Sequence, residues 1–207
     1  MTTDTGITYG IVAFDDAEEL DFVGPWEVFG GSTMLRNREA GRELDRVLLI
    51  GPTDATIRCN KGLKVVPDHT FADHPPLDLV LVPGGQGTRR EVDNPVFMAW
   101  LRDVAPTVTW MTSVCTGSLL LHGSGLAAGK RVATHWGFED TLEARGNVTV
   151  VRDARWVRDG NIVTSQGVSA GIDMALWLLG QIFSPAHAKA VQRYIQYEPA
   201  PPYQAEV

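Results

Sequence analysis

Cysteine is scarce in this chain, long apolar runs are missing, and positive charge is in the minority. Each shortage removes a class of protein. The two cysteines among 207 residues, Cys59 and Cys115, lack the spacing of a metal or dithiol motif and are too few for a disulfide scaffold. The opening MTTDTGITYG has none of the charged-then-apolar pattern of a secretion leader, so a reducing, cytoplasmic setting is expected, where a Cys59–Cys115 disulfide is disfavoured. No apolar run approaches the roughly 18 residues that read as a membrane span, and no membrane contact is expected. Eighteen Lys and Arg stand against 25 Asp and Glu, a net charge of −7 with no basic run, which makes nucleic acid and anionic membrane surfaces poor partners. His69, His74 and His187 have no ligand spacing, and no metal is expected.

What is present is an ordinary globular composition, 44% hydrophobic and 21% charged, in a chain long enough to bury a sizeable core. Short apolar runs alternate with helical patterns, the signature of a parallel sheet with crossover helices. An α/β fold is therefore expected, with residues 1–207 as a single domain. Thr8–Phe14 reads as a buried first strand, followed by a helix over Gly24–Arg38 that Pro25 is placed to open. Further strands are expected at Asp45–Gly51, Leu77–Gly85, Thr107–Val114 and Arg131–Thr134, with a hairpin around Asn60-Lys61-Gly62. Helices are expected at Pro95–Val104, Thr116–His122, Gly137–Arg145 and Ser169–Phe183, the last capped by Ser169. A final helix starts near Pro185 and stops before the proline-rich EPAPPYQ. The stretch VTVVRDARWVRDGNIVTS, residues 148–165, reads as a hairpin or meander with a turn at Asp159-Gly160.

Three of the expected strands end in unusual residues: DDAEELD (Asp15–Asp21), PGGQG (Pro83–Gly87) and SVCTG (Ser113–Gly117). Ligands of open α/β sheets bind at the carboxyl ends of strands, so a carboxylate, a backbone cradle and a thiol are expected to converge. A thiol at a strand-to-helix junction faces the helix N-terminus, whose dipole favours the thiolate; Cys115 is expected to titrate below the ordinary value of about 8.5. Gly84 and Gly85 let backbone approach a ligand, and their amides with the N–H of Thr116 suit an anion formed when sulfur attacks. Asp21 is suited to hold or deliver a proton beside that sulfur. Phe22, Trp136 and Val168 read either as walls of an apolar pocket or as plain core. His135, in ATHWG, either approaches the cysteine from a neighbouring strand end or packs structurally, whereas His122 lies about 10 Å along the following helix, too far to take the thiol proton. Cys59 reads as structural. Residue type alone leaves Cys115 open as an inert core residue, a redox sensor or a nucleophile.

AEELDFVGPWEVF, DLVLVPGGQG, SVCTGSLLL, ATHWG and VTSQGVSAGIDMALWLL occur in the same order as similar blocks of the ThiJ/PfpI superfamily. The chain resembles that superfamily over nearly its whole length, from Tyr9 to Tyr203. Within it, Cys-Thr-Gly, Thr-His-Trp and the YEPAPPY tail are similar to isonitrile (isocyanide) hydratases, and the same blocks resemble the sensory domain of AraC-type regulators. The resemblance implies a flavodoxin-like α/β sandwich related to class I glutamine amidotransferases, mostly parallel, with helices on both faces, and usually a homodimer. It puts a reactive cysteine at Cys115 in a strained turn, its acidic partner at Asp21, and oxyanion amides at Gly85 and Thr116. Two departures narrow it. The peptidase branch carries a histidine where this chain has Thr116, and SQGVSAGID replaces the amidotransferase His-x-Glu.

The activity this resemblance implies is that of a hydro-lyase adding water to a small-molecule isonitrile, with Cys115, Asp21 and Thr116 at the reacting centre and no cofactor. A glyoxalase or deglycase, a redox sensor and a ligand-sensing domain use the same kind of thiol and remain alternatives. The regulators append a DNA-binding region of roughly a hundred residues, with a basic recognition helix that this sequence lacks, which weighs against the last of these.

Overall fold

The computed structural model describes residues 6–200. Its first half runs β1 (Thr8–Val12), α1 (Glu19–Ala40), β2 (Arg46–Gly51), β3 (Ile57–Arg58), β4 (Lys64–Val65), β5 (His69–Thr70), β6 (Leu79–Val82), α2 (Thr88–Glu91) and α3 (Pro95–Val104). The second half runs β7 (Trp110–Val114), α4 (Gly117–Gly123), β8 (Lys130–Val132), α5 (Glu139–Glu143), β9 (Val148–Val150), β10 (Trp156–Asp159), β11 (Ile162–Ser165), α6 (Ala170–Ile182) and α7 (Pro185–Tyr194).

Seven strands form the central sheet in the order β10-β11-β7-β6-β1-β2-β5, and only the β10–β11 pair is antiparallel. β1 and β6 are buried along their whole length, which explains why they read as unbroken apolar runs rather than alternating ones. α1, α6 and α7 pack on one another as one helical layer, and α2, α3 and α4 pack together in another. Aromatic contacts tie the layers to the sheet: Tyr9 of β1 stacks on Phe29 of α1 at 4.5 Å, and Phe14 just beyond β1 meets Phe97 of α3 edge-on at 5.7 Å. This is the flavodoxin-like α/β arrangement. The chain leaves β1 toward β2 on one side and later returns to β6 on the other, so the order reverses between β1 and β6. That reversal is where an open sheet offers a ligand crevice.

Several local expectations need correction. α1 begins at Glu19, and Pro25 lies inside it rather than opening it. The acidic first turn, with Glu19 and Asp21, favours an early start at the positive end of the helix, and packing on α6 carries the helix past the proline. Ser169 occupies the N-cap position of α6 but makes no capping bond, whereas Ser184 Oγ caps α7 by accepting from His187 N–H at 3.1 Å. Of the hairpin or meander expected over residues 148–165, the hairpin is present, β10 and β11 joining through a two-residue turn with Gly160 at φ +67°, while β9 lies outside it and pairs in parallel with β8 in a separate ribbon. The proline-rich tail from position 201 and the opening residues 1–5 lie outside the described residues.

Glycine brings the sheet and α4 into contact. A Cβ on Gly117 would lie 2.2 Å from the carbonyl oxygen of Val82, a backbone atom with no room to yield. Gly117→Ala is expected to lower the urea midpoint, by roughly 1–3 kcal/mol in stability, because α4 must move off β6. Equilibrium urea unfolding checks it.

Candidate active site

The turn after β7 holds Cys115 at φ +56°, in the left-handed region that costs a non-glycine residue about 1–2 kcal/mol. Hydrogen bonds fix it from both sides. Its N–H is shared by the carbonyls of Ser165 and Gln166, each at 3.2 Å, and its own carbonyl accepts from Ser118 Oγ at 3.1 Å and Thr134 Oγ1 at 3.0 Å. The strain implied by the resemblance is therefore present in the backbone.

Asp21, one turn into α1, is fully buried. Gly84 N–H donates to its Oδ2 at 2.9 Å, while Oδ1 is buried without a hydrogen-bond partner, and the carboxyl interacts with the Cys115 thiol. A Cβ on Gly84 would sit 2.5 Å from Thr116 N and 2.9 Å from Asp21 Oδ2, so only glycine lets the loop after β6 reach both groups. Gly85, at φ +113°, is bridged to Ala17 across the mouth of the β1–β6 crevice.

A cavity of about 150 Å³ opens onto the sulfur, lined by Glu18, Asn60, Gly85, Gln86, Arg89, Cys115, Thr116, His135 and Val168. Of the expected site residues it gathers Cys115, Thr116, Gly85, His135 and Val168, with Asp21 and Gly84 bonded to each other behind. Phe22 instead lines an apolar groove with Val23, Trp26 and Val66, and Trp136 is 77% exposed to solvent, so neither walls this cavity. The apolar pocket expected from those residues is replaced by a mostly polar one. His135 packs against Gly167, where a Cβ would come within 2.3 Å of its ring, and its Nδ1 accepts from Gly137 N–H at 3.1 Å. The neutral ring then carries its proton on Nε2. Val168 stands at φ +54°, rarer still for a β-branched side chain.

The expected oxyanion amides differ from each other. Gly85 N–H already donates to Thr116 Oγ1 at 3.1 Å, so a ligand must displace the hydroxyl to use it. Thr116 N–H instead faces the sulfur and helps draw its pKa down. Sequence reasoning missed Glu18, Asn60, Gln86 and Arg89. Glu18 stood unremarked in DDAEELD. Asn60 comes from the β3–β4 hairpin, which donates its Nδ2 to Glu18 Oε2 at 3.3 Å, a contact that no local pattern announces.

Electrostatics overturn one expectation outright. Cys115 does not titrate low: burial, and then the negative charge of Asp21, push its thiol up to about 12, against the pull of the Thr116 N–H and hydroxyl. α4 spans only seven residues, and its dipole does not offset the loss of water. Burial likewise pushes Asp21 up to about 7, with Glu18 adding to the rise while Gly84 N–H, the Cys115 thiol and Lys61 oppose it. The two groups titrate as a pair, which holds two protons below about 7 and one above. Cys59 is buried in the hairpin, and its thiol is raised by burial and by Glu19, Asp15 and Asp16. Both cysteines are free. Among the described residues no group of His, Cys, Asp and Glu is arranged to hold a metal ion, and no helix is long and apolar enough to cross a membrane.

The model of the DJ-1/PfpI family matches residues 10–181. The chain is 36% identical to an isonitrile hydratase of Pseudomonas putida, over 94% of this chain and 80% of that protein. It is 24% identical to the glutathione-independent glyoxalase DJR-1.2 of Caenorhabditis elegans, over 83% of this chain and 86% of that one. Its fold superposes with a TM-score of 0.85 on a ThiJ/PfpI family protein from Pseudomonas syringae, 28% identical, covering 99% of this chain and 79% of the other.

The raised Asp21 pKa carries a stability consequence of definite sign. A carboxyl that titrates near 3.8 when unfolded and about 7 when folded stabilises the native state below 3.8, and that stabilisation is lost as pH rises through 7. Asp21→Asn, neutral at every pH, is expected to melt higher than the parent at pH 8, by roughly 2–4 kcal/mol, with the gap closing by pH 4. Thermal melts of both proteins at the two pH values check it.

Proposed function

The chain belongs to the DJ-1/PfpI family, and from that premise we propose that it is an isonitrile hydratase, a hydro-lyase that turns an isonitrile into an N-substituted formamide. The observation that carries this reading is the buried pair of Asp21 and Cys115, which holds a single proton above about pH 7. The terminal carbon of R–N≡C accepts a nucleophile and a proton on the same atom, and this pair supplies one of each.

In the reading's first step the pair's one proton passes from the Cys115 thiol to Asp21, which leaves the charge on sulfur. Sulfur forms a bond to the terminal carbon, the Asp21 proton moves to that carbon, and a thioimidate, R–N=CH–S–Cys115, results. Water then adds to the C=N bond, its oxygen to carbon and one proton to nitrogen by way of Asp21. The tetrahedral adduct collapses as the C–S bond breaks and its hydroxyl proton returns to Asp21. R–NH–CHO leaves and the pair regains its one proton. Thr116 N–H faces the sulfur and stabilises the thiolate before attack and on departure. No cofactor enters this reading, which takes the chain as one cytoplasmic domain.

The dimension and polarity of the cavity favour a second reading. About 150 Å³ lined by Glu18, Asn60, Gln86, Arg89 and His135 suits a small, oxygen-rich carbonyl compound, the kind of substrate a glyoxalase takes. Under the hydratase reading the substituent on nitrogen must extend out of the mouth toward solvent. An aldehyde would be attacked by the same sulfur, so substrate choice and not the nucleophile separates the two.

A homodimer belongs to the same proposal. Leu20, Val23, Leu63 and Val66 are exposed apolar side chains on α1 and the β3–β4 region, around a groove walled by Phe22 and Trp26, and a second copy of the chain would cover them.

Purified protein mixed with a para-substituted phenyl isocyanide is expected to release the formamide, and Cys115→Ala to release none above the buffer rate. Because attack needs the pair with one proton, kcat/KM is expected to rise as pH passes upward through about 7 and then level. Formamide production that survives in Cys115→Ala would remove the nucleophile. Turnover of small aldehydes but no isonitrile would transfer the assignment to the glyoxalase reading. Sedimentation velocity is expected to give a dimer for the parent and a shift toward monomer for Val66→Asp.

A further inference from the structure

We propose that Arg89 is an anion anchor at the mouth of the cavity, and that the substrate is an isonitrile whose substituent carries a carboxylate close to the reacting carbon. The proposal deepens the hydratase reading and rests on Cys115 as its nucleophile. Besides the thiol and His135, two ionisable side chains line the cavity, Glu18 and Arg89, and their surroundings treat them differently. Glu18 is answered from the hairpin: Lys61 Nζ forms an ion pair with its Oε1, and Asn60 Nδ2 donates to its Oε2 at 3.3 Å. Arg89 has no such partner. Among the described residues no carboxylate forms an ion pair with it, whereas the next residue, Arg90, pairs with Asp16 at 3.1 Å and Glu91 at 2.8 Å.

The bonds that Arg89 does make hold one end of the guanidinium and leave the other. Nη1 lies 2.9 Å from Gly85 O, 3.0 Å from Thr88 Oγ1 and 3.2 Å from Thr116 Oγ1, neutral oxygens that take up its hydrogens. Gly85 and Thr116 line the same cavity as Cys115, so this contact docks the head group beside the site. Nε and Nη2 have no acceptor among the described residues. Together they form the side edge of the guanidinium, whose parallel N–H groups match the paired oxygens of a carboxylate. Phe138 steadies the plane, its ring centre 4.7 Å from the guanidinium carbon.

Position and charge then point to the same ligand. Arg89 lines the cavity and also reaches solvent, so it stands where a substituent on nitrogen leaves the mouth. A thiolate at Cys115 repels an incoming anion, and a cation beside the mouth offsets that repulsion. A cavity of about 150 Å³ with a polar lining suits a short charged substituent better than an alkyl chain.

The first test needs no turnover. Iodoacetate and iodoacetamide are attacked by the same thiolate and differ by a carboxylate in place of an amide, so the ratio of their rates at one pH cancels the thiolate fraction. Intact protein is alkylated with each reagent, and the modified peptide is identified by mass so that Cys59 is counted separately. Arg89→Met, which keeps an apolar stem over Phe138, is expected to lower the iodoacetate-to-iodoacetamide ratio at Cys115 about fivefold. Arg89→Lys, which keeps the charge and loses the fork, is expected to lie between Met and the parent. An unchanged ratio in Arg89→Met overturns the proposal, as does an equal slowing of both reagents, which would mark a disturbed loop and not a lost anion contact. The second test compares isocyanoacetate with its methyl ester. The acid is expected to have the higher kcat/KM by about tenfold in the parent, and Arg89→Met to remove the preference. Turnover of both without preference for the acid would leave the hydratase reading standing and overturn the anion anchor. Turnover of neither, with the alkylation ratio still dependent on Arg89, would overturn the hydratase reading, and with it the isonitrile part of the proposal, while leaving the anion anchor in place.

Discussion

A carboxyl and a thiol buried against each other cannot both carry charge, because neither has water to screen it and each repels the other. Most of the site's architecture can be read as a consequence. Asp21 is denied solvent by α1 and the loop after β6, and it keeps a single firm partner, the Gly84 N–H. Cys115 is denied a relaxed backbone and is fastened by four hydrogen bonds to β11, α4 and the strand end at Thr134. What the protein gains is a carboxyl and a thiol that between them keep one proton above about pH 7, beside the cavity that Cys115 lines. A freely ionised thiolate would be a stronger nucleophile at rest but would arrive at the reaction without the proton.

The sheet supplies the geometry that this pairing demands. Asp21 follows β1, the glycines follow β6 and Cys115 follows β7, three adjacent strands whose carboxyl ends meet where the strand order reverses. Close approach of three backbones leaves no room for side chains, which is why Gly84 and Gly117 each place a would-be Cβ within 2.5 Å of a main-chain atom. Rigid apolar strands on both sides then keep the small errors of loop placement from reaching the reacting atoms.

Much of this was legible in the sequence, for identifiable reasons. Pro95–Val104 opens with a proline at the first position, where a helix tolerates it, and the helix has the expected bounds, its start capped by Asn94. The strand ends at Asp21, Gly84, Gly85 and Cys115 pointed to one crevice because α/β topology sends them there. What was not legible depended on contacts across the fold. α1 starts ahead of Pro25 because tertiary packing outweighs a local breaker. The sign of the Cys115 shift follows from how little water remains, and a strand-to-helix pattern contains no measure of burial. Phe22 lines a surface groove because α1 starts at Glu19, so that Phe22 is part of the helix and not of the strand-end loop. Arg89 and Asn60 reach the cavity from the four-residue α2 and a hairpin whose placement no period encodes.

Pro25 also bears on the mechanics of the molecule. Having no N–H, it gives nothing to the carbonyl of Asp21, so the ladder of helical hydrogen bonds has a gap just after the turn that carries the carboxyl. That turn is held less by its own helix than by neighbours: Gly84 from the sheet side, and α6, whose Gly171 packs against the Pro25 ring. The position of the carboxyl is thus set by tertiary contacts more than by the helical ladder, with Asp21 and Phe22 as deeply buried as Val28 and Phe29. How close the carboxyl stands to the sulfur is therefore decided by the fit of α6 and of the loop after β6 against one turn of α1, at the place where the distance between two titrating groups matters most.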